Sequence, residues 1–272
     1  RTEFGDDMLR IGPVKLFADG ALGPHTAAML MPYQDDPQNS GILKLEAGEL
    51  FELGRQAVSN GISLAVHAIG DRANREVLNA YVQLRQFERT LLTHPSAPHH
   101  HRIEHVQVLH PDDIQRFSEL NIIASMQPIH ATSDMLMADH YWGARSSYAY
   151  AWRSLISHGT MLIFGSDAPV ESPNPFWGIH AAVTRRRADG SPSPQGWYPE
   201  QCINVFEALQ AYTVGPAYAS GMGEQLGKLA PGYLADLVIT DQDPFSCSPE
   251  ELMNIHPIAT MMGGEWVYSE LE

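Results

Sequence analysis

Four polar residues of this 272-residue chain, Lys15, His67, His105 and Asp167, interrupt or follow apolar runs of strand length. Alternation along a strand places each of them on a face with small or apolar neighbours, as with Ile103 before His105. A single strand histidine is usually a hydrogen-bonded core residue, but four unpaired polar groups facing one interior are costly. Imidazole nitrogen and carboxylate oxygen suit divalent metals, so the four residues together predict a metal site.

The segments that carry these residues alternate with helix-like stretches. The strand-like segments span 14–19, 62–69, 102–107, 122–128 and 160–167. Helices are predicted over 46–60 and 71–88, from Pro111 onward, and over 147–158 and 204–213. Five strand–helix units in succession indicate a parallel α/β sheet, with polar groups gathered at its carboxyl edge. Such units form either an arc of a barrel or an open doubly wound sheet.

The pattern changes after Gly227, where short strands and turns replace long helices. Gly263 and Gly264 separate two strand-like runs, as in a two-residue hairpin. We therefore expect an α/β body over residues 1–226 and a small all-β segment over 227–272.

Five motifs in fixed order make the chain resemble a known family: VKLFADGALGPHTA, HAIGDRA, RIEHVQ, SMQPIHATSD and GSDAPV. They are similar to those of the amidohydrolase superfamily, in its amidohydrolase family 3 branch, which includes N-substituted formamide deformylase-like enzymes. The tail, from GKLAPGYLADLVITDQDPF to MMGGEWVY, resembles part of the β-sandwich that closes such proteins. The resemblance runs from about residue 10 to the C-terminus. It implies a (β/α)₈ barrel whose one or two metal ions, zinc by preference, activate water to hydrolyse an amide-like C–N bond.

The resemblance also implies roles for individual residues. Lys15 matches the lysine that such enzymes carboxylate to bridge two metals, and His67 and His105 match ligands on the next two strands. Asp167 matches an aspartate that touches a metal and shuttles a proton. The stretch with His130 and Asp134 is expected to be a loop that lines the substrate pocket.

One departure from the family is serious, because its first motif, His-x-His, does not occur in this sequence. Five strand–helix units are present where a barrel needs eight. The chain is therefore expected to be the C-terminal portion of a longer enzyme. Alone it is expected to be inactive and to associate with another copy or with the missing N-terminal segment. The rival interpretation is a non-catalytic barrel used for binding or regulation.

Charge, cysteine content and apolar runs restrict the partners and the compartment that we expect. The 17 basic and 32 acidic side chains give a net charge of −15, which repels nucleic acid and disfavours a phosphate-ester substrate. Cys202 and Cys247 form no disulfide framework, which fits a reducing, cytoplasmic compartment. No apolar run approaches the roughly 20 residues of a membrane span. The run His99–His101 lies in a Pro-rich stretch, where a metal role is the weaker expectation.

Overall fold

In the computed structural model, which describes residues 2–91 and 99–271, five short strands form one sheet. They are β1 (Val14–Phe17), β2 (Leu64–Ala68), β3 (Arg102–His105), β4 (Ile123–Met126) and β5 (Leu162–Phe164). Their order in the sheet is their order in the chain, and β1 to β4 pair in parallel. Strands β2 and β4 are buried along their whole length, as in sheets covered on both faces. The predicted parallel α/β sheet is confirmed.

Eight α-helices accompany these strands in the part of the chain that is described. They are α1 (Ala47–Ser59), α2 (Asp71–Leu91), α3 (Pro111–Glu119), α4 (Pro128–Trp142), α5 (Trp152–Ser157), α6 (Pro175–Thr184), α7 (Val205–Tyr212) and α8 (Val214–Ala219). Local chemistry explains several starts. Glu46 and Glu49 form a capping box at α1, Asn204 and Glu207 form another at α7, and Pro111 occupies the first turn of α3. No described helix has the length and apolar character to cross a bilayer.

Two sequence-based expectations about local structure are wrong. His130 and Asp134 were expected in a loop, but they lie on helix α4. Its apolar and polar residues are mixed around the axis, so no amphipathic stripe indicates a helix. The helix predicted over 147–158 is interrupted, because Tyr150 has φ +50° and a shorter α5 begins only at Trp152.

The chain divides into two compact units. The first comprises Arg1–Met126 and Asp134–Leu162, and the second comprises Gln127–Ser133 and Ile163–Glu272. The first unit therefore holds β1 to β4, helices α1 to α3 and helix α5. The border between the units falls inside α4.

The second unit contains a three-stranded antiparallel sheet, with strands β6 (Leu237–Thr240), β7 (Pro257–Met262) and β8 (Glu265–Ser269) in that order. The predicted hairpin joins β7 to β8, where Gly263 and Gly264 have φ of +57° and +86°. A two-residue hairpin turn with both φ values positive favours glycine. All five residues of β8 are exposed.

Candidate metal centre

The carboxyl ends of β2 and β3 bring His67 and His105 together in the first unit, and Lys15, the second residue of β1, is in register with Ala65, two residues before His67. The ring centroids of His67 and His105 lie 4.6 Å apart with a T-shaped arrangement. His67 is buried, with 9% of its surface exposed, and His105 is half-buried. Lys15 is exposed, and its Nζ lies 5.3 Å from the ring centroid of Phe17 on the same strand face.

The strand register shows that strand alternation, the predicted cause, does not bring His105 beside His67. Registered residues of parallel strands share a face, and the partner of His67 on β3 is Glu104, whereas His105 is the partner of Ala68. The backbone of His105 has φ +75° and that of Val106 has φ +48°, values that are uncommon for side chains other than glycine. This left-handed turn, rather than strand alternation, positions the His105 ring beside His67.

Glu104 and Arg102 are polar residues of this face that sequence reasoning missed. Arg102 Nε donates to Glu104 Oε1 at 2.6 Å, and Glu104 is buried. Burial acts to raise the pKa of Glu104, but the charge of Arg102 and hydrogen bonds from Arg102 and Ser125 outweigh it and lower that pKa. Adjacent opposite charges inside an otherwise apolar strand were the available signal in RIEHVQ.

The hydrogen bonds of His67 determine which of its nitrogens carries the proton. His67 Nε2 lies 2.7 Å from the carbonyl oxygen of Gly20 and 3.4 Å from Asp19 Oδ1. A carbonyl only accepts hydrogen bonds, so Nε2 carries the hydrogen and the lone pair belongs to Nδ1. Metal-binding histidines commonly donate their second N–H to a carbonyl or carboxylate in this way. The tautomer of His67 therefore fits a metal ion bound through Nδ1.

The Asp19 carboxylate links the chain segments that surround His67. It is fully buried and accepts the backbone N–H groups of Ala28 at 2.9 Å, Ile69 at 3.0 Å and Gly70 at 2.8 Å. Burial raises the pKa of Asp19 to about 7, against the three N–H groups and the charge of Lys44, which lower it. One side chain thus joins the end of β1, the end of β2 and the long β1–α1 loop (residues 18–46).

The other predicted site residues are carried by helix α4 and by the segment after β5. Asp134 Oδ2 accepts the hydroxyl of Tyr150 at 2.7 Å, in the first unit. His130 is buried and belongs to the second unit. Asp167 is an exposed residue of the second unit, three residues after β5, and it also has a positive φ, +57°. Non-glycine residues with such backbone geometry concentrate at functional sites.

A second cluster, Glu88, His99 and His101, has ligand atoms within 4.8 Å of one another. The Pro-rich stretch before His99 lies outside the described residues. Glu88 Oε1 lies 2.7 Å from His99 Nδ1 and 3.1 Å from His101 Nε2, and Arg85 Nη1 donates to Glu88 Oε2 at 2.8 Å. His101 Nδ1 accepts the N–H of Leu64 at 2.9 Å, so Nε2 carries the proton and has no lone pair for a metal. This cluster is a hydrogen-bonded ionic network that ties α2 to the sheet.

Comparisons with known proteins identify the family. The model of the amidohydrolase family matches residues 1–268. The chain is 36% identical over 263 residues to the putative amidohydrolase YtcJ of Bacillus subtilis, a match over 96% of this chain and 48% of that protein. It is 28% identical over 261 residues to the N-substituted formamide deformylase of Arthrobacter pascens, over 94% and 45% of the two chains. The chain thus spans about half the length of these curated relatives.

Among solved structures, an uncharacterized metal-dependent hydrolase from Pyrococcus furiosus is similar, with a TM-score of 0.75 and 35% sequence identity. The match covers 89% of this chain and 47% of that one.

Replacing Asp19 by asparagine tests its role as the acceptor of three backbone N–H groups. The amide keeps the shape but offers one acceptor oxygen, and its NH₂ group opposes backbone N–H donors. We expect Asp19→Asn to lower the free energy of unfolding by about 2 kcal/mol or more. Urea denaturation measures this. Asp36→Asn is the matched control, at a half-buried position of the same loop where the carboxylate accepts the N–H of Gln38 at 3.4 Å, and it should change stability by less than about 0.5 kcal/mol. Equal stability of the two variants would contradict the role assigned to Asp19.

The network around His101 predicts acid sensitivity. Burial lowers the pKa of His101 to about 4 in the folded state. The unfolded chain takes up this proton near pH 6.5, so it binds more protons than the folded state between these two values. Stability is therefore lost as pH falls through this window, by roughly 3 kcal/mol from about pH 7 to about pH 4. Glu88, whose pKa is lowered, adds a loss in the same direction below its ordinary value of 4.5.

Urea denaturation across this pH range measures the slope. We expect His101→Gln to be less stable at neutral pH but to lose less stability on acidification. His256→Gln, at an exposed position, is the control and should keep the slope of the parent. A parent stability that does not fall on acidification would contradict this account.

Proposed function

Since this chain belongs to the amidohydrolase family, we propose that it is part of a metal-dependent hydrolase that cleaves an amide-like C–N bond of a small molecule. The observation that carries the proposal is the pairing of His67 and His105 at the ends of adjacent parallel strands. The contact between His67 Nε2 and the Gly20 carbonyl is the kind of second hydrogen bond that metal-binding histidines commonly make, and it supports the proposal. The formamide deformylase and the metal-dependent hydrolase among the similar proteins support the same chemistry.

The proposed architecture of the parent protein is a (β/α)₈ barrel. Residues 1–226 would supply its last five βα units, and residues 227–272 part of a small β-sandwich. Parallel strands whose spatial order follows chain order support the barrel arc. The antiparallel sheet β6–β7–β8 supports the sandwich segment.

We propose Lys15, His67, His105 and Asp167 as the residues that hold one or two divalent ions, with zinc favoured by the imidazole and carboxylate donors. Carboxylation of Lys15 on Nζ would add two oxygen donors to this set. When bound, zinc would lower the pKa of water to near 7 and polarise the carbonyl of the substrate. Gly20 and Asp19 hold the His67 ring in place through its Nε2–H.

The other proposed roles concern protons and substrate. Asp167 would take a proton from the attacking water and pass it to the leaving amine, as a general base and then a general acid. His130 and Asp134 would contact the substrate. Asp134 already accepts a hydrogen bond from Tyr150, which fixes the direction of its carboxylate.

We also propose that this chain associates, with a second copy or with the N-terminal part of the parent. Strand β1 lies at the edge of the sheet of described strands, and its Lys15 and Phe17 side chains are exposed. An edge strand has backbone groups available for pairing with another chain. Both cysteines are free thiols, which agrees with the proposed cytoplasmic location.

Zinc titration of the metal-free chain tests the centre. We expect His67→Ala and His105→Ala each to weaken zinc binding about 100-fold or more, since each removes a ligand rather than an outer-shell partner. Isothermal titration calorimetry measures the affinity and the stoichiometry. Glu88→Gln is the matched control at the other histidine cluster, and it should leave both unchanged. Zinc binding that is lost in Glu88→Gln and kept in His67→Ala would overturn the assignment.

A further inference from the structure

Beside the candidate metal centre lies a half-exposed aromatic ring. Phe17 shares the face of β1 with Lys15, and 50% of its surface is exposed. Its ring centroid lies 5.1 Å from that of His67. The exposed part of this phenyl ring is apolar surface in contact with water. A ligand that covers the ring removes that surface from water, which favours binding.

Two lysines approach this ring. Lys15 Nζ lies 5.3 Å and Lys44 Nζ lies 5.8 Å from the Phe17 centroid, within the range of cation–π contact. Lys44 comes from the far end of the β1–α1 loop. Its backbone N–H donates to the carbonyl of Ala18 at 2.7 Å, which holds it beside the end of β1.

The Lys44 ammonium group differs from most arginine side chains of this chain in its ionic partners. The chain has 32 acidic and only 17 basic side chains, and most of its arginines have carboxylate or carbonyl partners. The Lys44 charge acts on the buried Asp19 carboxylate and lowers its pKa. Among the described residues, however, the Lys44 ammonium group forms no ion pair with a carboxylate. An exposed ammonium group on a flexible stem is a point charge suited to an anionic ligand.

From this juxtaposition we infer that Phe17 and Lys44 form a subsite for a substrate that carries a carboxylate group next to an apolar portion. The apolar portion would pack on the Phe17 ring, and the carboxylate would accept hydrogen bonds from the Lys44 ammonium group. The inference rests on the proposed function, because it takes His67 to mark the reacting centre. It narrows the substrate from amides in general to amides that also carry a carboxylate.

The test compares two probes that differ only by that group, N-acetylphenylalanine and N-acetylphenethylamine. Isothermal titration of the metal-free protein at low ionic strength measures their affinities. We expect the carboxylate probe to bind about fivefold tighter or more, the size of one partly exposed ion pair. Added salt should reduce this preference, because it screens exposed charges.

Substitutions at Lys44 test whether this residue causes the preference for the carboxylate probe. Lys44→Gln should abolish it while the affinity for the neutral probe stays within roughly twofold, since only the charge pairing is removed. Lys44→Arg should retain it. Lys228→Gln is the matched control, because Lys228 Nζ also lies 5.8 Å from an aromatic centroid, that of Tyr233, in the second unit. It should leave both affinities unchanged.

Several results would overturn the inference. They are a parent protein that binds both probes equally or binds neither, a Lys44→Gln variant that weakens both alike, and an equal loss in Lys228→Gln. Because the readout is binding without metal, a failure of zinc binding or hydrolysis would count against the proposed function alone. A carboxylate preference that depends on Lys44 would stand in either case.

Discussion

The buried carboxylate of Asp19 is the constraint on which the candidate centre depends. It has no exposed surface, and three backbone N–H groups from two different segments donate to it. A buried charge is tolerated only when it is paired and hydrogen-bonded, so these donors cannot leave without a large cost. The arrangement fixes the end of β1 against the end of β2, and it brings the Gly20 carbonyl to His67 Nε2.

The second constraint is backbone geometry at the end of β3. Strand register alone would place Glu104, not His105, beside His67. The positive φ values of His105 and Val106 redirect the chain, and the N–H of Val106 is held by the carbonyl of Ala68 at 3.1 Å. Strained conformations of this kind persist only where the surroundings impose them. A backbone turn that brings the His105 ring beside His67 is consistent with the metal site that we propose.

Much of the fold follows from the sequence, because apolar runs and helix caps are local signals. The five strands, the helix start at Asn204 and the hairpin at Gly263–Gly264 were all predictable from residue type and spacing. Helix α4 was not, because its residues lack the apolar periodicity that distinguishes a helix from a loop. Lys15, His67 and His105 could be singled out from the sequence as a predicted metal site, but their mutual arrangement could not. The Arg102–Glu104 pair and the turn at His105 depend on register and on φ, which residue type does not determine.

The central claim is that His67 binds metal through Nδ1 while its Nε2–H is held by the Gly20 carbonyl. Crystallography of the zinc-loaded protein, with anomalous scattering at the zinc edge, tests this most directly. The account predicts a zinc peak about 2.0–2.1 Å from His67 Nδ1, with His105 as a second ligand and the hydrogen bond to Gly20 retained. A zinc ion on Nε2 of His67, or one bound only at Glu88, His99 and His101, would contradict it.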